Sequence, residues 1–155
     1  MKKAAKFELT FLRKEKLSKD VYSFYFDRVK RGYAEDFNFF PGQYLRLTMQ
    51  IDKPDERGSS RYFTISSSPT VLDFFTITTR VIKSSFKLKL NSLNPGELVT
   101  VFGPIGYFNF NVNNKKPKIL LAGGIGVTPY HSILRYIDNK ALKLNASITL
   151  IVSFS

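Results

Sequence analysis

A run of polar and aromatic residues from Arg61 to Pro69, RYFTISSSP, contains the residue types in this chain that are best suited to chemistry. The guanidinium of Arg61 has the two-pronged geometry that matches a phosphate. Phe63 lies two residues later, on the same face of a strand, and its ring can lie against a flat ligand. The hydroxyl of Thr64 can reach a polar ring edge. An edge strand whose polar face meets water explains the spacing equally well, so the residues alone leave both interpretations open.

The composition indicates a globular protein with a large excess of positive charge. The chain has 155 residues, 43% of them hydrophobic, and a formal net charge of +12. This length suits one well-cored domain with a small appendage. The charge favours an anionic ligand, an acidic partner or, as the last-ranked alternative, nucleic acid. The sequence has no Cys, which excludes disulfides, thiolate zinc sites, cysteine-ligated iron–sulfur clusters and a Cys nucleophile.

The chain start has the basic end of a signal peptide but no apolar run after it. No stretch approaches the length of about 18 apolar residues that a membrane span needs. The sequence therefore predicts a cytoplasmic protein with no membrane span.

Short apolar or alternating runs separated by turn residues predict a mainly β fold over most of the chain. The predicted strands are residues 6–13, 21–29, 44–50, 61–66, 72–82 and 98–102. Pro-Gly pairs and glycines between these runs supply turns, with one turn expected at 103–106. This rhythm is typical of an antiparallel barrel or sandwich. Ser84-Ser85 before an apolar and basic run predicts a short capped helix.

The pattern changes after Pro117. Residues 118–122 form a continuous apolar run, which predicts a buried parallel strand, and a glycine turn follows at 123–126. Thr128 is predicted to cap a helix with Pro129 at its first position. A further apolar strand is predicted at 147–154. Residues 115–155 therefore predict one β-α-β unit.

Several motifs, in the right order, resemble those of the ferredoxin–NADP⁺ reductase superfamily. RYFTISSSP resembles its R-x-Y-S/T flavin fingerprint, FFPGQY at 39–44 its PGQ turn, and GPIGYF at 103–108 its GPxGxF turn. AGGIGVTP at 122–129 resembles its AGGxGxTP motif. The resemblance covers residues 7–155. It implies a six-stranded antiparallel Greek-key FAD-binding barrel in residues 1–114, followed in 115–155 by the first, incomplete part of a Rossmann-like NAD(P)-binding domain.

The resemblance also implies roles for particular residues. Arg61 matches the pyrophosphate-binding Arg, Phe63 stands where the family usually has a Tyr against the isoalloxazine, and Thr64 stands near flavin N5 as the catalytic position. The helix start at 84–87 resembles a second phosphate-binding element, which agrees with the partial positive charge of a helix N-terminus. The complete implied cofactor-binding set is Arg61, Tyr62, Phe63, Thr64, Thr78, Thr79, Arg80, Ser84, Ser85, Phe86, Lys87, Gly124, Gly126, Thr128 and Pro129.

The implied function is electron transfer from NAD(P)H through FAD to an acceptor such as an acidic ferredoxin or flavodoxin. The alternative is an FAD-binding module or electron-relay subunit that does not oxidise nucleotide itself. Relative to the family the chain is expected to be C-terminally truncated, which predicts oligomerisation or a mobile C-terminal third. His131, the sole His, is predicted to be a helix-flank residue with no metal or catalytic role.

Overall fold

The computed structural model describes residues 4–28, 37–108 and 110–154. The strands are β1 (Ala5–Lys16), β2 (Val21–Asp27), β3 (Tyr44–Thr48), β4 (Ser60–Thr64), β5 (Phe74–Arg80), β6 (Leu98–Ile105), β7 (Lys118–Gly123) and β8 (Ile148–Ser153). The helices are α1 (Ser85–Ser92) and α2 (Thr128–Asn139), and a 3₁₀ turn, Gly124–Val127, leads into α2. These elements confirm the predicted order of strands and helices.

The first six strands form one antiparallel sheet in the order β4-β3-β6-β1-β2-β5. Its edge strands meet where Ile65, just after β4, bridges Ile77 of β5. The adjacent Ser66 N–H donates to Thr76 O at 2.8 Å. This contact, called the seam below, nearly closes the sheet into a barrel. The predicted mainly β, six-stranded antiparallel barrel is therefore confirmed.

The barrel interior is filled largely by phenylalanine. In β1 the residues Phe7, Leu9 and Phe11 alternate with exposed or half-buried neighbours, as the two-residue period of a strand requires. Phe26 and Phe75 face each other from paired strands, with ring centroids 5.4 Å apart and an interplanar angle of 21°. Among the described residues, the fully buried Phe side chains are Phe11, Phe24, Phe26, Phe37, Phe75 and Phe86.

β7 and β8 form a separate, parallel two-stranded sheet, with α2 connecting them in sequence. The predicted β-α-β unit is present. The expectation that residues 118–122 are buried holds for one face only. Leu120 is 7% exposed, whereas Ile119 and Leu121 on the opposite face are 67% and 65% exposed, and Ile151 of β8 is 54% exposed.

Two predicted boundaries are wrong in ways that have a local cause. β6 continues through Gly103 and Pro104, which were assigned to a turn, because Gly103 pairs with Ala5 of β1 and Ile105 pairs with Tyr44 of β3. Thr128 is not the helix cap: it already has helical dihedral angles, and Val127 occupies the cap position. The Thr128 hydroxyl donates instead to Ile125 O at 3.0 Å, so it stabilises the glycine turn.

The described part of the chain lacks two features. Neither α1 nor α2 combines the length and the hydrophobicity that crossing a bilayer demands. Across residues 4–28, 37–108 and 110–154, no group of three or more His, Cys, Asp or Glu side chains is arranged to hold a metal ion.

Replacing Phe75 with Ala should lower the free energy of unfolding by about 3–5 kcal/mol, because a fully buried ring is lost and the cavity collapses only partly. Urea denaturation followed by circular dichroism measures the change. Leu72→Ala is the control, since Leu72 is 71% exposed and its loss should change stability by less than about 0.5 kcal/mol. Equal losses in the two variants would contradict the assignment of the core.

Candidate functional site

A groove of about 380 Å³ separates β4, β5 and the start of α1 from the start of α2. We call it the β4–α2 groove. Many of the residues singled out from the sequence line it, although they come from five separate elements. The lining residues are Arg57, Arg61, Tyr62, Phe63, Thr64, Thr78, Thr79, Lys87, Ile125, Gly126, Thr128 and Pro129.

The β4 wall alternates as a strand must. Arg61 and Phe63 are 6% and 8% exposed, while Tyr62 between them is 63% exposed. Phe63 borders the groove but also packs against Phe86, with ring centroids 5.9 Å apart. Phe86 itself is fully buried and does not line the groove. Tyr62 therefore presents a more accessible aromatic ring on this wall than Phe63 does. Tyr62 belongs to the predicted cofactor-binding set, although no specific role was predicted for it.

The opposite wall is the glycine turn that begins α2. A Cβ built on Gly126 would meet no heavy atom within 4 Å, so the groove is open at this point. Gly124 has a φ of +49°, a conformation that L side chains rarely adopt. Thr128 and Pro129 complete this wall. The turn therefore leaves room for a flat ligand to approach the backbone closely.

A second cavity, of about 400 Å³, adjoins the first and shares Lys87 and Ile125 with it. Its other lining residues are Arg80, Ile82, Gly123, Gly124 and Ser153. Gly123 and Ser153 are the last residues of β7 and β8. Ligands of open α/β sheets bind outside these carboxyl ends. Arg80 and Gly124 thus lie in the second cavity and not in the β4–α2 groove, and Arg80 Nε pairs with Asp20 at 3.3 Å.

Positive charge converges where the two cavities meet. Burial lowers the pKa of Lys87, and the charges of Arg57, Arg61 and Arg80 lower it further. Each of these groups makes the others' charged forms less favourable. An anion bound between them would relieve this repulsion.

Arg61 does not present its two-pronged end to the groove. Its Nη1 donates to the carbonyls of Arg57 and Gly58, each at 2.7 Å, and to that of Ser60 at 2.8 Å. Its Nη2 lies 2.5 Å from Asp55 Oδ1. Its Nε is buried and has no hydrogen-bond partner in the described part of the chain. The pyrophosphate-binding role of Arg61 stays a prediction. For Arg61 to bind a pyrophosphate through its Nη groups, its bonds to Asp55 and to the loop carbonyls must break.

Asp55 also binds the start of α1. The Ser84 hydroxyl donates to Asp55 Oδ2 at 3.1 Å, and the Asp55 N–H donates to Ser85 Oγ at 2.8 Å. Ser84 occupies the cap position as predicted, but its side chain makes no cap hydrogen bond. Desolvation alone would raise the pKa of Asp55. Hydrogen bonds from Arg61, the two serines and the Arg57 backbone outweigh this and lower the pKa from 3.8 to about 2.

Contacts between α2 and the loop after β4 could not be foreseen from the sequence. Ser132, fully buried, donates its hydroxyl to Ser67 O at 2.6 Å. His131 Nδ1 lies 2.7 Å from Ser66 O. His131 is on the helix flank, as predicted, and it joins α2 to this loop. The partners are 65 residues apart in sequence, and no local pattern signals such a pair.

The serines that follow Thr64 have a structural use. Ser66 Oγ lies 2.9 Å from both Thr76 Oγ1 and Thr78 Oγ1. Ser67 Oγ accepts the Thr76 N–H at 3.0 Å. These hydroxyls therefore hold the seam together from inside.

The family model for the oxidoreductase FAD-binding domain matches residues 8–110. The chain belongs to this family. It is 38% identical over 103 residues to the glycine betaine monooxygenase reductase subunit of Chromohalobacter salexigens, a match that covers 64% of the chain and 27% of that relative. It is 30% identical over 137 residues to a flavohemoprotein of a Burkholderia species, which covers 88% of the chain and 32% of that relative.

Solved structures share the fold. The cytochrome b5 reductase domain of Ulva prolifera nitrate reductase superposes with a TM-score of 0.78 at 20% identity, over 97% of this chain and 63% of that one. A ferredoxin–NADP⁺ reductase from Neisseria gonorrhoeae with bound FAD and NADP gives a TM-score of 0.76 at 18% identity, over 99% and 59%. The chain thus spans roughly 30% of these curated relatives and about 60% of these solved chains.

The residues of the site fit FAD, the cofactor of this domain family. The diphosphate of FAD is an anion, and Arg57, Arg61 and Lys87 line one end of the β4–α2 groove. The buried, unpartnered Nε of Arg61 is a donor without an acceptor. The open space at Gly126 leaves room for a planar ring. Both cavities lie within the volume range of about 300–1,000 Å³ that is typical of cofactor sites.

The stability of the flavin-free protein should fall as the pH falls from 3.8 to about 2, and Asp55→Asn should lose less over this range. The pKa of Asp55 is lower in the folded protein, so its ionised form stabilises the fold above the unfolded-state pKa and this contribution is lost on protonation. Thermal unfolding at a series of pH values measures it. The control is Asp52→Asn in the same loop. Parallel curves for wild type and Asp55→Asn would contradict the ion pair.

Replacing Ser132 with Ala should destabilise the protein by about 1–3 kcal/mol, because the buried Ser67 carbonyl loses its donor. The measurement is chemical denaturation. Ser92→Ala provides the comparison: the Ser92 hydroxyl also donates to a backbone carbonyl, at 2.9 Å from Lys89 O, but it is exposed. A loss in Ser132→Ala no larger than in Ser92→Ala would show that the α2 contact is unimportant.

Proposed function

We propose that this chain binds FAD in the β4–α2 groove and transfers electrons from NAD(P)H to an acceptor. The observation that carries the proposal is the pairing of two walls across one groove. Thr64 of the barrel and Gly126, Thr128 and Pro129 of the second unit line the same space. A flavin ring in this space would contact both units, with a nucleotide reaching it from the side of the glycine turn.

Each wall has a distinct task in this proposal. Bound FAD supplies the redox chemistry, since it can accept a hydride and release electrons. Lys87 and Arg57, with Arg61 once it is released, neutralise the diphosphate. The Thr64 hydroxyl serves as a hydrogen-bonding group at the reactive edge of the ring. Thr78 and Thr79 would border the ribityl chain, and the Thr78 hydroxyl lies 2.7 Å from Ser23 Oγ.

The second cavity is the proposed entry for the nicotinamide nucleotide. It lies at the carboxyl ends of β7 and β8, and the glycine turn separates it from the β4–α2 groove. This assigns residues 1–114 to flavin binding and 115–155 to nucleotide binding. The net charge of +12 favours an acidic electron-carrier protein, such as a ferredoxin or flavodoxin, as acceptor.

A second candidate is an FAD-binding or electron-relay module that does not oxidise nucleotide alone. It is favoured by the exposure of Ile119, Leu121 and Ile151, which leaves one face of the β7–β8 sheet open to solvent. Anaerobic addition of NADH or NADPH to the FAD-loaded chain separates the candidates. Loss of the oxidised flavin absorbance supports the first; a stable oxidised spectrum that dithionite still bleaches supports the second.

Lys87→Ala should weaken FAD binding by about 10- to 100-fold, because a cation that faces the diphosphate is removed. Quenching of flavin fluorescence on titration measures the dissociation constant. Lys89→Ala is the matched control, since Lys89 lies on the same helix but lines a different cavity. Riboflavin, which has no phosphate, should bind both variants equally. Equal FAD affinity in the two variants would contradict the proposed site.

A further inference from the structure

The residues that are assigned to the diphosphate already hold an anion. Asp55 contacts Arg61 through Oδ1 at 2.5 Å, Ser84 through Oδ2 at 3.1 Å and Ser85 through its backbone N–H at 2.8 Å. The first contact lies at β4 and the other two at the start of α1. The carboxylate therefore bridges the two elements that a diphosphate is expected to bridge.

The loop that carries Asp55 is closed on Arg61 by further bonds. Arg61 Nη1 binds the carbonyls of Arg57 and Gly58, and the Arg57 N–H donates back to Asp55 Oδ1 at 3.1 Å. The Arg61 side chain is only 7% exposed as a result. While these bonds persist, a second anion would have to compete with Asp55 and the loop carbonyls for the Nη groups of Arg61.

We propose that the Asp55 carboxylate acts as an internal substitute for the cofactor diphosphate, and that FAD must displace it from Arg61 and from the start of α1. This inference rests on the proposed function. Two anions that compete for the same donors repel each other and cannot both be satisfied. Asp55 thus stabilises the flavin-free protein and weakens its affinity for flavin diphosphate.

The proposal predicts opposite effects from one substitution. Asp55→Asn removes the charge with little change in shape, so FAD and ADP, which both carry a diphosphate, should bind at least about tenfold more tightly, the scale of one charge-assisted hydrogen bond. Riboflavin affinity should not change. The unfolding midpoint of the flavin-free variant should fall. A purely structural Asp55 would instead make both stability and FAD affinity fall together.

Asp52→Asn is the control for net charge, because it makes the same change three residues earlier in the same loop. It should leave the affinities for FAD and ADP within about twofold of wild type. Wild-type protein supplies a test that needs no variant. Because the Arg57 N–H donates to the Asp55 carboxylate, its hydrogen exchange should become faster when FAD binds, while most amides near a bound ligand become protected.

The outcomes separate this inference from the proposed function. If Asp55→Asn binds FAD more weakly than wild type or equally well, or if exchange at Arg57 slows with FAD, Asp55 does not compete with the diphosphate and the inference is overturned alone. If wild type, Asp55→Asn and Asp52→Asn all fail to bind FAD, both the proposed function and the inference fail.

Discussion

The docking of α2 onto the loop after β4 is the contact on which the site depends. The barrel supplies one wall of the groove and the glycine turn supplies the other, and the two belong to different sheets. Ser132 and His131 hold them in register through the carbonyls of Ser67 and Ser66. Because backbone carbonyls accept these bonds, the backbone path of the loop sets the position of α2, and the side chains of the loop contribute little. The Ser66 and Ser67 hydroxyls remain available to fasten the seam.

Electrostatics gives the site its second constraint. Arg57, Arg61, Arg80 and Lys87 come together from a loop, two strands and a helix. Such a cluster is unfavourable unless a negative charge compensates it. Asp55 provides part of that charge within the chain. Hydrogen bonds, among them one from Arg61, lower the pKa of its carboxyl, whereas burial and the neighbouring arginines lower the pKa of Lys87. Affinity for an anion and stability without one are therefore opposed in this protein.

Local patterns predicted a mainly β fold and left a barrel or a sandwich open, whereas the six-stranded barrel and most of the groove lining were implied by the resemblance to the ferredoxin–NADP⁺ reductase superfamily. Alternation in β1 and the glycine turn before α2 are local patterns, and each directly determines a local structure. Asp55 escaped notice because its bond to Arg61 depends on how an irregular loop folds back. Thr128 was misassigned because its hydroxyl binds a carbonyl within the preceding 3₁₀ turn, which a capping rule does not consider. Ser132 required knowledge of the tertiary fold.

The position of β6 determines when the protein can fold. Although β6 is the last barrel strand in sequence, it lies between β3 and β1 in the sheet. Its residue Gly103 pairs with Ala5 at the start of β1. Until β6 has been synthesised, nothing links β3 to β1. The β4-β3 pair and the β1-β2-β5 group can then contact each other only at the seam. Such long-range closure is slow, and on the ribosome it waits until Ile105 has emerged. The nascent chain thus exposes strand edges until β6 has emerged, and no N-terminal fragment that stops short of β6 can close the barrel.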